Sequence, residues 1–313
     1  MAPKIFIDGA SGTTGLVIAE LLQPLIKAGK IELIAIKNRR DDAERRAAYA
    51  RADLTILCLP DEEARRAMKL IEGTKTRVLD ASSAHRTQEG WVYGLPELDA
   101  AQPDLIRDAK YVSNPGCFAT GAVLLLHPLI EAGLLDKEAA VTLIGVTGYS
   151  AGGKASIARY KETNAPGATF STVSLDAPHK HVAEIQKYAG LKTPPLFMPH
   201  VTNVPRGMMV SAAFNRAALK GNLAEVTAAY KNAYAKTPMV QVHDKADKRL
   251  DFSRFDELNK DSGASPQEGL DIHVNGWEET ERKGEIRVTV LLDNLGKGAG
   301  TQAVQNIKLM LSL

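Results

Sequence analysis

The chain has 313 residues, a length that predicts about two domains and excludes a peptide hormone or a single small module. Lys and Arg number 39 and Asp and Glu 37, so the formal net charge of +2 is far from the dense positive charge that a nucleic-acid binder needs. The 44% of hydrophobic and 24% of charged residues are values of folded globular proteins and exclude extensive disorder.

The first 115 residues alternate short apolar runs with helix-period segments. The strand-like runs are KIFIDG, IELIAIKN, LTILCLP, RVLDAS and KYVSNP, in that order. Segments such as DEEARRAMKLIE lie between them and have the spacing of an amphipathic helix. This alternation predicts βαβ units, and therefore an α/β fold with a doubly wound parallel sheet.

Beyond residue 116 the pattern predicts an α+β domain. We expect a helix over residues 118–132, a strand in AAVTLIGVTG, a Gly-rich loop in YSAGGK and then an irregular stretch to about residue 209. The runs MMVSAAF and GEIRVTVLLDN alternate as in a sheet with one exposed face. Residues 244–267 are polar and predict an exposed excursion, and TQAVQNIKLMLSL predicts a terminal helix.

The sequence predicts a cytoplasmic protein without a membrane partner. The longest apolar run, residues 122–126, is too short to span a bilayer, and MAPKIFIDG enters a strand without a signal-peptide core. In such a compartment the two cysteines, Cys58 and Cys117, need not form a disulfide.

A Gly-rich turn, GASGTTG, follows the first strand and precedes the first predicted helix. Its glycines allow the backbone to approach a pyrophosphate, which the free N–H groups of the helix N-terminus then bind. The turn predicts dinucleotide binding, with a plain Gly-rich turn as the alternative. The predicted cofactor contacts are Gly9, Ser11, Gly12, Thr13, Thr14 and Gly15.

The second strand ends in a basic segment, Lys37-Asn38-Arg39-Arg40. NAD-binding proteins carry an acidic residue there for the ribose hydroxyls, whereas Arg39 and Arg40 suit the 2′-phosphate of NADP. The alternative is a solvated start to the next helix, since charge runs usually face solvent.

The segment SNPGCFATG (residues 113–121) places a cysteine at a turn into a helix. Pro115 and Gly116 deliver Cys117 to the first helical turn, where the helix dipole lowers the pKa of a thiol and favours the nucleophilic thiolate. Cys58 lies within LTILCLP, where a thiol is usually an inert small hydrophobe. We therefore predict Cys117 as the nucleophile and Cys58 as a core residue.

Histidines are the natural acid–base candidates for such a thiolate. With a nicotinamide cofactor it would interconvert an aldehyde and an acyl derivative, and this chemistry needs a group with a pKa near 7. His179 and His181 form the densest histidine cluster. A helix that begins near Pro178 would put His181 and Glu184 on one face. His200 is the second candidate, and surface histidines are the alternative for each.

These motifs together resemble the short form of the N-acetyl-γ-glutamyl-phosphate reductase family, in the semialdehyde dehydrogenase superfamily. The matching segments run from end to end of the chain: GASGTTG, LDASSAHR, YGLPEL, SNPGCFATG, GVTGYSAGGK, PHKHVAEI, FMPHVTNVPRG and DNLGKGAGTQAVQNIKLM. Their order is more specific than any single motif. Aspartate-semialdehyde dehydrogenases share the glycine motif and a cysteine after Asn, but not HKH-x-x-E or YGLPEL.

The resemblance implies a domain organisation and a cofactor. A Rossmann domain that binds NADP(H) is expected over residues 1–116, and a catalytic and dimerisation domain with a mixed sheet over residues 117–293. A C-terminal helix over residues 294–313 is expected to return to the first domain. The assembly is expected to be a homo-oligomer, either a dimer or a tetramer.

The resemblance also implies a reaction, the NADPH-dependent reduction of N-acetyl-γ-glutamyl phosphate to N-acetylglutamate 5-semialdehyde in arginine biosynthesis, through a thioester on Cys117. The positions that fall on the family's catalytic motifs are Cys117, His179, His181 and Glu184, and those on its nicotinamide segment are Asn294 and Gly298. We expect the small-molecule substrate to be held by Ser83, Arg86, Asn114 and Arg206, with solvent-facing polar loops as the alternative. No metal is expected.

Two other functions remain open. An aspartate-semialdehyde dehydrogenase-like enzyme would use the same thiol on another acyl phosphate. A non-catalytic NADP-sensing protein would keep only the nucleotide loop, and the intact SNPGC and HKH segments argue against it.

Overall fold

The computed structural model describes residues 2–162, 169–244, 248–260, 264–280 and 283–313. The strands are β1 (Lys4–Asp8), β2 (Glu32–Leu33), β3 (Leu54–Leu57), β4 (Arg77–Asp80), β5 (Val92–Tyr93), β6 (Tyr111–Ser113), β7 (Thr142–Gly148), β8 (Phe170–Thr172), β9 (Leu196–Thr202), β10 (Met208–Asn215), β11 (Val240–His243), β12 (Leu270–Glu278) and β13 (Gly284–Leu292). The helices are α1 (Thr13–Leu21), α2 (Gln23–Lys27), α3 (Asp42–Arg51), α4 (Asp61–Ile71), α5 (Gln102–Asp108), α6 (Cys117–Glu131), α7 (Gly153–Glu162), α8 (Val182–Ala189), α9 (Leu223–Ala233), α10 (Asp256–Asn259) and α11 (Thr301–Leu311).

The chain forms two compact units. The first consists of Met1–Pro96, Ala100–Gly116 and Ala299–Leu313, and the second of Glu97–Asp99 and Cys117–Gly298. The first unit contains a parallel sheet with the strand order β2-β1-β3-β4-β6-β5. Because β2 and β3 lie on opposite sides of β1, the winding reverses there, and sheets of this kind bind ligands at the carboxyl ends of the strands at such a point.

Alternating side chains of β1 divide the first unit into two hydrophobic layers. Ile5 and Ile7 pack in one layer, which also contains Ile307 of the C-terminal helix α11. Phe6 points to the other face and packs with Tyr49 of α3. The strand is therefore buried on both faces, as is typical of a parallel sheet covered by helices.

The second unit contains a mixed sheet with the strand order β11-β12-β13-β10-β7-β9-β8. The β11–β12 and β7–β9 pairs are parallel and the other pairs are antiparallel. The parallel sheet of the first unit and the mixed sheet of the second confirm the predicted fold class.

Helix α6 is the central helix of the second unit, and it is buried on all sides from Phe118 to Leu126. Pro128 lies inside it and has no N–H for the carbonyl four residues earlier, that of Leu124. The hydroxyl of Tyr234 donates to that carbonyl at 2.8 Å, and the hydroxyl of Tyr230 donates to the next one, at Leu125. The hydroxyl of Tyr234 therefore takes the place of the one helical N–H that the proline lacks.

The stretch between YSAGGK and residue 209, predicted as irregular, is mostly regular. Helix α7 begins within GGK at Gly153, and β8, α8 and β9 follow it. Strand β9 contains Pro199, which lies just beyond the last β8–β9 pair, Thr172 with His200. Residues 163–168 of this stretch, and residues 245–247 and 261–263 of the predicted polar excursion, lie outside the described residues.

In the described part of the chain, no helix combines the length and the apolar character that crossing a bilayer requires.

Candidate active site

The Gly-rich loop connects β1 to α1 in the first unit. Gly9 has a φ of +85°, and a Cβ there would lie 2.2 Å from the carbonyl oxygen of Cys58. A Cβ at Gly15 would lie 2.5 Å from the carbonyl oxygen of Gly9. Only glycine fits these two positions, and within the described residues no side chain caps the start of α1. The first N–H groups of α1 are therefore available to a phosphate.

Side chains beside the loop also suit a phosphorylated dinucleotide. Ser11 is exposed, and Thr13 and Thr14 are half-buried at the start of α1. Arg39 lines a cavity next to the loop. The other residues that line it are Phe6, Ile7, Ala10, Ala19, Leu33, Ile34, Ala35 and Ile36. Arg40 is exposed. An apolar cavity with an arginine at its wall fits an adenosine that carries a 2′-phosphate.

A buried triad that sequence reasoning missed lies at the carboxyl end of β1. Asp8 accepts hydrogen bonds from Nε and Nη2 of Arg45 at 3.0 and 2.9 Å and from the hydroxyl of Tyr49. Burial, and then the negative charge of Asp8, raise the pKa of Tyr49, so its hydroxyl stays a donor. The triad fixes α3 against the strand that leads into the Gly-rich loop.

Cys117 is the first residue of α6 and is partly buried. Gly298 lies against it, because a Cβ at Gly298 would be 2.8 Å from the Cβ of Cys117. A larger residue at position 298 would push on the thiol, so the backbone of this segment defines one side of the space beside Cys117.

The predicted histidine pair packs against the residue that follows Cys117. The ring of Phe118 lies edge-on to His179 and to His181, with centroids 5.8 and 6.2 Å away. Phe197 of β9 packs edge-on against Phe118 at 5.0 Å and against His179 at 5.3 Å. The two imidazoles are 4.5 Å apart. The fold therefore brings both histidines to the N-terminal end of α6.

Local hydrogen bonds orient this pair. The backbone N–H of His181 donates to Nδ1 of His179 at 3.1 Å, so a neutral His179 has its proton on Nε2. His181 is 4% exposed, and its Nε2 lies 3.9 Å from Oε1 of Glu184 on the first turn of α8. The helix begins at Val182 and not near Pro178 as predicted, so His181 is its N-cap residue and not part of its first turn. Burial, and then the Glu184 carboxylate, raise the pKa of Tyr188 to about 12.

Arg206 is bound by a carboxylate that the sequence did not indicate. Its Nε donates to Oδ1 of Asp293 at 3.1 Å, and its Nη2 donates to Oδ2. Asp293 is fully buried and also accepts the backbone N–H groups of Gln267 and Leu295 at 3.0 and 3.1 Å. A forked ion pair of this kind fixes the plane of the guanidinium.

Asn294 connects three segments of the second unit. Its Oδ1 accepts the N–H of Gly207 at 2.9 Å, and its Nδ2 donates to the hydroxyl of Ser150 at 2.8 Å. These two bonds fix the orientation of the Asn294 amide, and its nicotinamide contact stays a prediction.

A fully buried ion pair precedes Gly298. Nζ of Lys297 lies 2.7 Å from Oε1 of Glu97, and the two side chains are 0% and 1% exposed. Burial lowers the pKa of Lys297, although the Glu97 carboxylate opposes the shift. Both residues belong to motifs quoted above, YGLPEL and KGAGTQ, but nothing in the sequence pairs them.

Three predicted substrate contacts are bound within the first unit. Ser83 donates its hydroxyl and its N–H to Asp61, at 2.6 and 2.9 Å. Nε of Arg86 donates to the carbonyl of Asn114 at 3.0 Å, and the Asn114 amide donates to the carbonyl of Ala299 at 3.1 Å. These bonds hold the segment that precedes Cys117, and the substrate contacts of the three residues stay predictions.

Cys58 and His200 have different surroundings from Cys117 and the His179–His181 pair. Cys58 follows β3 rather than lying within it, and burial, assisted by the negative charge of Asp80, raises its pKa to about 12. His200 accepts from or donates to the hydroxyl of Thr172 at 3.0 Å and stacks on Phe170 of β8.

The chain matches the sequence models of two domain families. Residues 4–106 match the semialdehyde dehydrogenase NAD-binding domain, and residues 117–294 match the semialdehyde dehydrogenase dimerisation domain. The chain is 38% identical to N-acetyl-gamma-glutamyl-phosphate reductase 2 of Pseudomonas putida, with 99% of this chain and 97% of the relative covered. It is 40% identical to N-acetyl-gamma-glutamyl-phosphate reductase of Brucella ovis, with 99% of each covered.

Solved structures with the same fold include two aspartate semialdehyde dehydrogenases. Enzyme II from Vibrio cholerae has a TM-score of 0.73 at 17% identity, with 100% of this chain and 99% of that chain covered. The enzyme from Candida albicans, solved with NADP, has a TM-score of 0.64 at 13% identity, with 99% and 98% covered. At these identities the likeness concerns the fold alone.

Proposed function

Because the chain belongs to the semialdehyde dehydrogenase family, and within it to the N-acetyl-γ-glutamyl-phosphate reductases, we propose that it reduces N-acetyl-γ-glutamyl phosphate to N-acetylglutamate 5-semialdehyde and phosphate with NADPH, a step of arginine biosynthesis. One observation supports this most strongly. A cysteine begins the buried helix α6, and a histidine pair packs against the residue that follows it.

The cofactor we assign to the first unit is NADP(H). The Gly-rich loop leaves room that a Cβ at Gly9 or Gly15 would fill, and Arg39 lies at the wall of the adjacent cavity. The first N–H groups of α1, with Ser11 and Thr13, would hold the pyrophosphate. When bound, NADPH supplies the hydride that reduces the acyl group.

The nucleophile is the thiolate of Cys117. It attacks the acyl carbon, a sulfur–carbon bond forms, the carbon–oxygen bond to phosphate breaks, and phosphate leaves with the electron pair. N–H groups at the start of α6 stabilise the negative oxygen of the tetrahedral intermediate. The product of this half-reaction is a thioester on Cys117.

His179 and His181 move the protons. An imidazolium protonates the departing phosphate and becomes a neutral imidazole. After reduction the oxyanion takes a proton from water to give the thiohemiacetal. The imidazole then accepts this proton as the carbonyl forms, and the sulfur–carbon bond breaks with its electron pair returning to the thiolate. Glu184 stabilises a protonated His181 from 3.9 Å. Arg206, fixed by Asp293, presents the remaining edge of its guanidinium to the phosphate or the α-carboxylate.

We assign a homo-oligomer to this enzyme, in which the second unit makes the contact between subunits. The match of residues 117–294 to a dimerisation domain supports this assignment. A dimer and a tetramer are both compatible with it.

The test is the reverse reaction, followed as NADPH absorbance. N-acetylglutamate semialdehyde should reduce NADP+ only when phosphate is present, and the Cys117→Ala variant should be inactive. A higher kcat/KM with aspartate semialdehyde than with N-acetylglutamate semialdehyde would show that the proposed substrate is wrong. Absence of turnover with either aldehyde, in a protein that binds NADPH, would favour a sensor over an enzyme.

A further inference from the structure

Two histidines and one aspartate converge at the β11 edge of the second unit's sheet. β11 and β12 pair in parallel, and in their register His243 lies opposite His273. Asp271 precedes His273 by two residues, so the three side chains share one face of the sheet. The two imidazoles stack with centroids 4.5 Å apart, and Nε2 of His243 lies 3.4 Å from Oδ1 of Asp271.

The spacing of these groups is close to that of a metal site. One nitrogen or oxygen of each residue lies within 4.8 Å of the other two. Around a tetrahedral ion with bonds of about 2.1 Å, ligand atoms stand roughly 3.4 Å apart. His243 and Asp271 already have this separation. Nε2 of His243 is buried, and it has no hydrogen-bond partner among the described residues.

Arg254 determines which kind of ion the site prefers. Its Nη1 donates to Oδ2 of Asp271, and its Nε donates to Gln267 at 2.9 Å. The arginine thus holds one carboxylate oxygen, while the other faces His243, as in metal sites whose carboxylate has a second hydrogen-bonding partner. Because the guanidinium neutralises the carboxylate, a hard cation that needs several anionic oxygens is disfavoured, whereas an ion that binds neutral imidazoles is accepted.

We propose that His243, Asp271 and His273 form a binding site for a late first-row divalent metal ion, of which Zn²⁺ is the probe. Three protein ligands leave a fourth position for water. The ion bridges β11 to β12, the pair at one end of the sheet. The site is separate from the reductase chemistry, since none of its ligands belongs to the catalytic set. The spacing of these ligands in the sequence did not indicate a site, because they lie on two strands that a long polar segment joins.

The experiment is calorimetric titration of Zn²⁺ into the full chain after treatment with a chelator. The Cys117→Ser background is used because a thiolate beside two histidines would itself bind zinc. We expect one ion per chain, at least tenfold weaker binding after His243→Ala or His273→Ala, and unchanged binding in the matched control His200→Ala.

A second measurement separates ligation from folding. In the Cys117→Ser background zinc should raise the Tm, and it should not do so after the further change His243→Gln, which keeps a side chain of similar size; the metal-free Tm values of the two proteins should agree. Zinc binding that survives in both alanine variants would overturn the proposal. So would absence of binding at millimolar zinc, or an equal zinc-dependent rise in Tm in His243→Gln.

Discussion

Replacing Lys297 with methionine removes one half of the fully buried Lys297–Glu97 ion pair. Methionine matches the length of the lysine stem, so the change removes the charge and leaves little cavity. The Glu97 carboxylate, 1% exposed, then lies without its cation. Breaking a buried pair in this way costs about 3–5 kcal/mol, because the remaining carboxylate stays buried and has lost its cation.

Two further variants identify the charge as the cause. The double variant Glu97→Gln/Lys297→Met removes both charges and should recover at least about 1.5 kcal/mol of the loss. Arg216→Met is the matched control in the same unit, because its partner Glu278 is 27% exposed and water can solvate the carboxylate left behind. We expect this control to cost less than about 2 kcal/mol.

The assay is urea unfolding followed by circular dichroism, with the free energy of unfolding taken for each variant at one pH. Because Lys297 directly precedes Gly298, which lies against Cys117, the single variant should also change the rate at which iodoacetamide alkylates that thiol. Equal losses of stability in the single and double variants would refute the reasoning, since the cost would then come from packing and not from an unpaired charge.

Three other predictions concern the proposed reaction. Cys58, with a pKa of about 12, has almost no thiolate at about pH 7.5. Mass spectrometry should therefore find iodoacetamide on Cys117 first, and activity should be lost in proportion to that labelling. Labelling of Cys58 before Cys117 would contradict the assignment. Arg39→Ala should lower kcat/KM for NADPH at least several-fold and leave kcat/KM for NADH unchanged, since a charge-assisted phosphate contact contributes about 1.5–3 kcal/mol. Equal kcat/KM for NADPH and NADH in the parent protein would exclude binding of the 2′-phosphate by Arg39. His179→Ala and His181→Ala should both keep their affinity for NADPH, measured by fluorescence titration, while kcat falls about 100-fold in at least one of them. A kcat near that of the parent in both variants would show that the two histidines have a structural role only.

Local sequence patterns predicted the elements whose signals are contained within a few residues. The Gly-rich turn, the cysteine at the start of α6 and the terminal helix α11 lie where periodicity and turn chemistry placed them. Strand β2 keeps only Glu32–Leu33 of the predicted run, and β9, which contains Pro199, lies in the stretch predicted as irregular. Their pairing depends on neighbouring strands, which no local pattern contains.

Residue type and spacing proposed the reacting groups of the candidate site but not the residues that hold them in place. Cys117 and the histidine pair carry recognisable chemistry, so residue type and spacing identified them as candidates. Asp293, which fixes Arg206, and the Lys297–Glu97 pair act through contacts between distant parts of the chain; 200 positions separate Glu97 from Lys297. Such partners are ordinary charged residues until the fold brings them together.

The position of helix α11 in the first unit affects how the protein folds during synthesis. Ile307 and Met310 pack in the same layer as Ile5 and Ile7, although the whole segment Cys117–Gly298 lies between them in the chain. The N-terminal unit therefore cannot complete its core when its own strands leave the ribosome, and one apolar face stays open until the last residues are made. Synthesis stopped anywhere within residues 117–298 would leave a nascent chain with that face exposed, which makes such truncated chains substrates for chaperones and proteases.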